Sequence, residues 1–407
     1  MARVLFLVHR LPYPPNKGDK VRSYHLLRHL AQQHDVYLGT FVDDSEDEAH
    51  VPTVRQWCAE LHVARLHPVR ARVASLTGLW RDEPLTLAYY RDAGLDAWVR
   101  RLRDNHAIDA VVVFSSSMAQ YAQRFGVPVL VDFVDVDSAK WTEYAGAHRW
   151  PMSWLYRREG RHLLAYERVV AARSEQAFFV TEKEADLFRG LAPESALRVQ
   201  ALGNGVDADY FAPDPARVSP FDPGETALVF TGAMDYWPNI DAVTWFVQGM
   251  LPELRARWPA LRLHIVGRSP PQAVKALASE VVQVTGTVPD VRPYLQHAAV
   301  VVAPLRLARG IQNKVLEAMA MARPVVVAST CVEAIDAVPG QHLVAAVTPD
   351  DFVRAIGALL DEPDRAAALG RAARQRVEAL YGWSAQLAAL SKHLQHHLDG
   401  VAPRQAA

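Results

Sequence analysis

The chain has 407 residues, half of them apolar and 22% charged, which suits ordered globular structure and is long enough for two domains with separate cores. Its formal net charge is −1, with Lys and Arg spread along the chain, which argues against a nucleic-acid partner. Two cysteines, Cys58 and Cys331, form neither a disulfide framework nor a zinc pattern and suit a reducing compartment. The N-terminus runs straight into residues 4–8, VLFLV, too short for a signal-peptide core, and no apolar run approaches a membrane span. A cytoplasmic protein is expected.

Residues 4–8 read as a buried parallel strand, followed by a loop, a helix from about Val21 and a second strand over 36–42. The loop carries one glycine, so it is not a dinucleotide fingerprint. A long Pro- and Lys-rich loop at the carboxyl end of a strand is nevertheless where open α/β sheets bind ligands, which makes Gly18, Lys20 and Arg22 candidates. The alternative is a solvated connection. Further strands are expected at 61–64, 110–114, 127–133, 177–181 and 197–202. Residues 153–173 read as one long arginine-bearing helix. Such a helix suits either docking on its own sheet, with Glu159, Glu167 and Glu175 diluting the charge, or peripheral contact with the inner membrane.

Residues 203–207, GNGVD, mark a turn, and Pro213, Pro215, Pro220 and Pro223 follow in a stretch of linker composition. The βα alternation then restarts with strands at 227–232, 261–267, 281–285, 299–303 and 325–328. Glycines at the strand ends, Gly232 and Gly267, allow the backbone close to a ligand. Between the last two strands, Val315, Leu316, Met319 and Ala320 recur at helical spacing. Gly310 precedes that helix, Lys314 lies in its first turn and Glu317 about one turn further. Helix-end amides and a lysine suit phosphate, and a carboxylate suits ribose hydroxyls. An ordinary amphipathic helix after a surface loop is the alternative. The C-terminal stretch 350–398 reads as helical, broken at Tyr381-Gly382-Trp383.

With these pieces placed, nearly the whole chain resembles the retaining family-4 glycosyltransferases of GT-B fold. The resemblance is carried by Asn204-Gly205-Val206-Asp207 with Phe211 and Pro213, by Phe230-Thr231-Gly232, by Glu317-Ala318-Met319-Ala320 leading to Pro324, and by Tyr381-Gly382-Trp383. Residues 9–22, 230–242 and 310–321 look like the sugar transferases found with PEP-CTERM/exosortase exopolysaccharide systems. The resemblance implies two Rossmann-like α/β domains facing a cleft, over 1–205 and 206–380. It also implies a C-terminal helix over 381–398 returning to the first domain; the remaining 399–407 read as a disordered tail.

It further implies a nucleotide-diphosphate sugar as donor, a glycan or lipid-linked acceptor, retention of configuration and no metal or other cofactor. The family's second glutamate matches Glu317; eight positions earlier stands Arg309, where the family has its first. Gly310, Ile311 and Gln312 are the expected substitutes around the donor sugar. Lys314 is assigned to diphosphate, with Arg268 and Arg309 in place of an arginine missing after Gly232. At the end of the 127–133 strand Asp135 stands where the family has the acid of a His-Asp pair, and it is a candidate for the reacting carbon. A helix cap is the alternative role. Asp135-Val136-Asp137 also imitates the Asp-x-Asp motif of metal-dependent transferases. A non-catalytic sugar-nucleotide-binding module, a phosphorylase and an epimerase are the remaining rivals.

Overall fold

A computed structural model describes residues 1–400 apart from 16, 17, 106, 123, 124, 309 and 310. The chain divides into two compact units, Met1–Gly203 with the C-terminal stretch from Leu387, and Asn204–Gln386. The tail expected over 399–407 lies outside the described residues from 401 onward.

The first unit is built on strands β1 (Arg3–Val8), β2 (Asp35–Val42), β3 (Glu60–Arg65), β4 (Ala110–Phe114), β5 (Val129–Val134), β6 (Gln176–Phe179) and β7 (Val199–Ala201). They pair in the order β3-β2-β1-β4-β5-β6-β7, all parallel. Central strands of this kind are covered by helices on both faces, which is why β1 and β4 are continuous apolar runs with residues 4–8 and 110–114 fully buried. The strand order reverses between β1 and β4, and open α/β sheets bind ligands beyond the carboxyl ends of the strands at such a point.

The second unit repeats the plan with β8 (Thr226–Thr231), β9 (Leu261–Val266), β10 (Val282–Gly286), β11 (Val300–Ala303), β12 (Val325–Ala328) and β13 (Val344–Ala346). Their order is β10-β9-β8-β11-β12-β13, again all parallel, with the reversal between β8 and β11. The Val206 N–H donates to the Tyr381 carbonyl at 2.7 Å, and a Cβ on Gly205 would stand 2.7 Å from the Trp383 ring. The Gly205-Val206 turn therefore packs against the helix break at 381–383.

Three local expectations change. The first helix starts at Gly18, three residues earlier than the apolar spacing indicated, and runs to Gln33. The strand expected over 197–202 shrinks to β7, because residues 193–198 form a 3-10 turn that leaves Leu197 fully exposed. The helix cap offered as the alternative role of Asp135 does not form: the Asp137–Ala147 helix is capped at Val136 with no side-chain hydrogen bond, and it packs extensively on Met152–Arg173.

Candidate functional site

In the first unit, the carboxyl ends of β1, β4 and β5 open into a cavity of about 630 Å³. His9 follows β1 and lines it, its ring stacked on Phe114 with centroids 5.8 Å apart. Its Nε2 stands 3.5 Å from Asp19 Oδ2, and its Nδ1 is buried with no hydrogen-bond partner among the described residues. Burial raises the Asp19 carboxyl's pKa, but His9 and Arg10 outweigh it and hold the group well below the usual carboxylate range. Sequence reasoning missed this pair, because nothing in the 9–22 loop announces that His9 and Asp19 meet.

Asp135 lies on the same cavity. The chain leaves β5 through Val134 at φ +70°, a left-handed conformation that a β-branched residue holds only when its surroundings impose it. The Val134 N–H donates to Asp132 Oδ1 at 3.1 Å, and its carbonyl accepts from Val180 at 2.6 Å. Ser115, beyond β4, has φ +77° and lines the cavity as well. Lys140 donates to Asp135 Oδ2 at 2.7 Å and to Asp137 Oδ1 at 3.1 Å. Burial works against that ammonium, yet the two carboxylates raise its pKa well above the ordinary lysine value. The Asp-x-Asp pair thus shares a lysine cation. Trp141 and Tyr156 add aromatic faces, their rings 5.3 Å apart.

Two candidates in the first unit have other work. Lys20, a candidate above, is 1% exposed, and its ammonium donates to Asp47 Oδ1 at 2.5 Å inside the fold. Arg22 is equally buried: its Nε and one terminal nitrogen grip Asp132 at 2.7 and 3.1 Å, and the other donates to the Gly203 carbonyl at 3.0 Å. It braces β5 instead of facing solvent. Gly18 opens its helix in free space, since a Cβ there would meet no atom within 4 Å, and it adjoins the cavity-lining Asp19.

In the second unit the candidates converge on β8. A Cβ on Gly267 would fall 1.6 Å from the Gly232 carbonyl oxygen, and one on Gly232 would fall 3.0 Å from Lys314 Nζ. Position 267 therefore needs glycine for close backbone approach, whereas a Cβ on Gly232 would meet only the ends of the Asn239 and Lys314 side chains. Lys314, in the first turn of the Asn313–Ala320 helix, donates to Asn239 Oδ1 at 2.5 Å and lies 4.4 Å from the Phe230 ring centroid. Asn239 is buried and donates to the Ala233 carbonyl at 2.7 Å, so it holds the lysine beside the Gly232 turn. Sequence reasoning passed over it, although a polar side chain in the first turn after a strand-ending glycine is a signal of such a role.

Burial lowers Lys314 to about 8 and raises Glu317 to about 7, because each charge is taken out of water. The Glu317 carboxylate has no hydrogen-bond partner among the described residues. A cation on one neutral partner and a half-buried acid with none are groups prepared for a ligand. Gln312 caps the helix with its carbonyl accepting from Val315 at 2.9 Å, and Ile311 packs against the core. Arg268 is exposed just past Gly267; Arg309 and Gly310 lie outside the described residues.

Residues 225–362 match the family model described as glycosyl transferases group 1. No curated protein sequence matches the chain. Among solved structures it is similar to HepE of Anabaena, solved in complex with UDP, at 15% identity and TM-score 0.67, covering 97% of this chain and 100% of that one. Sucrose-phosphate synthase from Thermosynechococcus elongatus matches at 17% identity and TM-score 0.67, covering 99% of this chain and 100% of that one. WaaG, a glycosyltransferase involved in lipopolysaccharide biosynthesis, matches at 17% identity and TM-score 0.63, covering 96% and 99%. The two parallel sheets with alternating helices are those of the GT-B fold.

Proposed function

We propose that this GT-B chain, with its group 1 glycosyl transferase match over 225–362, moves a sugar from a nucleotide-diphosphate donor to an acceptor hydroxyl. The observation that carries the reading is the Gly232–Asn239–Lys314–Glu317 cluster at the carboxyl end of β8. Lys314 is assigned to the diphosphate, together with the helix-end amides, and Glu317 to the ribose hydroxyls. Exposed Arg268 supplies further positive charge beside the Gly267 turn. HepE was solved with UDP and with UDP-glucose, which supports a nucleotide sugar as the donor class here.

The acceptor is assigned to the first unit's cavity, where Trp141 and Tyr156 offer faces for a sugar ring. Asp135 stands there for positive charge developing at the reacting carbon. The bond between the sugar and the diphosphate breaks, a bond to the acceptor oxygen forms, and the acceptor proton passes to the departing phosphate. Retention of configuration, a lipid-linked glycan acceptor and a role in exopolysaccharide assembly complete the proposal, on the family-4 and exosortase-type resemblance. Cationic side chains take the place of a metal, and Lys140 already occupies the position between Asp135 and Asp137 that an Asp-x-Asp cation needs.

A thermal-shift screen over UDP-, GDP-, ADP- and dTDP-sugars tests the donor class, since ligand binding to the native state raises the melting temperature by mass action. One base is expected to shift the transition, with and without EDTA. A flat response to all four removes the proposal, and a shift that needs a divalent cation returns the metal-dependent alternative.

A further inference from the structure

We propose that the first unit docks on an anionic lipid surface through two segments without acidic residues, 66–81 and 144–158, that flank its cavity. In the first segment Trp80 is 93% and Val69 74% exposed, with Val73 and Leu76 also open to solvent. In the second, Trp150 is 80% exposed, and Met152, Trp154 and Tyr144 are exposed beside it. Scattered apolar residues on a surface are ordinary, but six or more large ones on two neighbouring segments are not.

The segments border one another. Arg158, one helical turn after Trp154, donates to the Gly78 carbonyl at 2.9 Å and to the Glu83 carbonyl at 3.2 Å. Both segments also reach the cavity, one through Arg72 and Ser75 and the other through Tyr144, Leu155 and Tyr156.

Charge decides the occupant. Arg70, Arg81 and Arg149 are exposed and make no ion pair among the described residues, although Arg81 lies near enough to Glu83 to help hold that carboxylate down. Asp82, which follows the first segment, faces Arg158 and His162 at 3.7 and 3.4 Å, and so does not neutralise them. Tryptophans flanked by arginines suit the headgroup boundary of an anionic bilayer, where the rings insert and the guanidinium groups meet phosphate. A second copy using the same face would set these arginines against each other. No described helix is long and apolar enough to cross a membrane, so contact is at the surface. Arg158 itself is buried on carbonyls, and Arg168 further along the helix pairs with Glu194 at 2.6 Å, so neither is counted among the docking charges.

Docking itself does not depend on the sugar-transfer reading; only the identity of what enters the cavity, an amphiphilic acceptor held at the lipid surface, rests on it. The full chain is sedimented with phosphatidylcholine vesicles with and without phosphatidylglycerol. Binding is expected with the anionic lipid and is expected to weaken as ionic strength rises. Replacing Trp80, Trp150 and Trp154 by Ser is expected to lower partition about tenfold per tryptophan. Replacing Arg70, Arg81 and Arg149 by Gln is expected to cost about fivefold each and to remove the preference for anionic lipid. No binding, equal binding to both vesicles, unchanged binding by both variants, or self-association that the tryptophan variant abolishes would overturn the proposal. The nucleotide-sugar thermal shift is followed in the same samples. Its absence from the wild type removes the donor site and leaves the vesicle result to decide docking.

Discussion

Lys314→Ala is expected to weaken nucleotide-sugar binding by about two orders of magnitude, roughly 3 kcal/mol, the usual cost of truncating one partner of a buried charged contact. Glu317→Ala is expected to lose about tenfold or more through its hydroxyl contacts. Isothermal titration reads both. The unliganded protein separates a binding role from a structural one. Glu317 is a half-buried carboxylate without a hydrogen-bond partner among the described residues, so its removal should leave the apo melting temperature unchanged or higher. Lower apo stability with normal titration would make it a structural residue.

The same two groups set a pH window. Glu317, raised to about 7, is protonated and a poorer acceptor for ribose hydroxyls at lower pH. Lys314, lowered to about 8, loses its proton and its attraction for phosphate at higher pH. Affinity is therefore expected to peak between about 7 and 8, with the acid limb absent from Glu317→Ala and the alkaline limb absent from Lys314→Ala. A flat profile from pH 6 to 9 contradicts the pairing of roles.

Arg22→Met is expected to be the most destabilising single change in the first unit. It leaves Asp132, which is completely buried, without the two nitrogens at 2.7 and 3.1 Å that hold it. Breaking a buried pair from one side costs about 3–5 kcal/mol, which for a unit of this size lowers the melting temperature by roughly 10 °C. Burial already pushes the Asp132 carboxyl upward and Arg22 pulls it back, so the variant acid is expected to take up a proton, which sets the upper bound on the loss. Arg22→Lys should not restore stability, because an ammonium cannot reproduce the bidentate grip or the third contact to Gly203. The double change Arg22→Met with Asp132→Leu should recover much of it. Calorimetry on these variants and on Asp132→Leu alone tests this; additive losses would show that the pair is not coupled.

Arg22 and Lys20 also show where a linear reading stops. Periodicity and apolar runs located every strand but the short β13, and the Asn313–Ala320 helix, because a parallel sheet buried on both faces writes itself as continuous Val, Leu and Phe. The same reading offered Lys20 and Arg22 as ligand-binding candidates at a strand end, and could not see that each is taken up inside the fold. Their partners, Asp132 and Asp47, lie 110 and 27 residues further along, and only the folded sheet brings them together. Lys314 and Glu317 were legible because they are three residues apart on one helix. Asn239, 75 residues from Lys314, and the His9–Asp19 contact were not, since each joins a loop or helix start to a group that topology alone delivers. Val134 fell just past the strand expected over 127–133; its left-handed backbone, which carries the chain round to Asp135, has no signature in sequence.

Transfer itself is the central claim, and acceptor-dependent release of nucleoside diphosphate bears on it most directly. The wild-type chain is incubated with the donor that shifts its melting temperature, in EDTA, with and without a lipid extract containing glycan acceptors. Release only when the extract is present, with a product of the donor's anomeric configuration by NMR, is the result predicted. Donor binding without release, or release independent of acceptor, contradicts it.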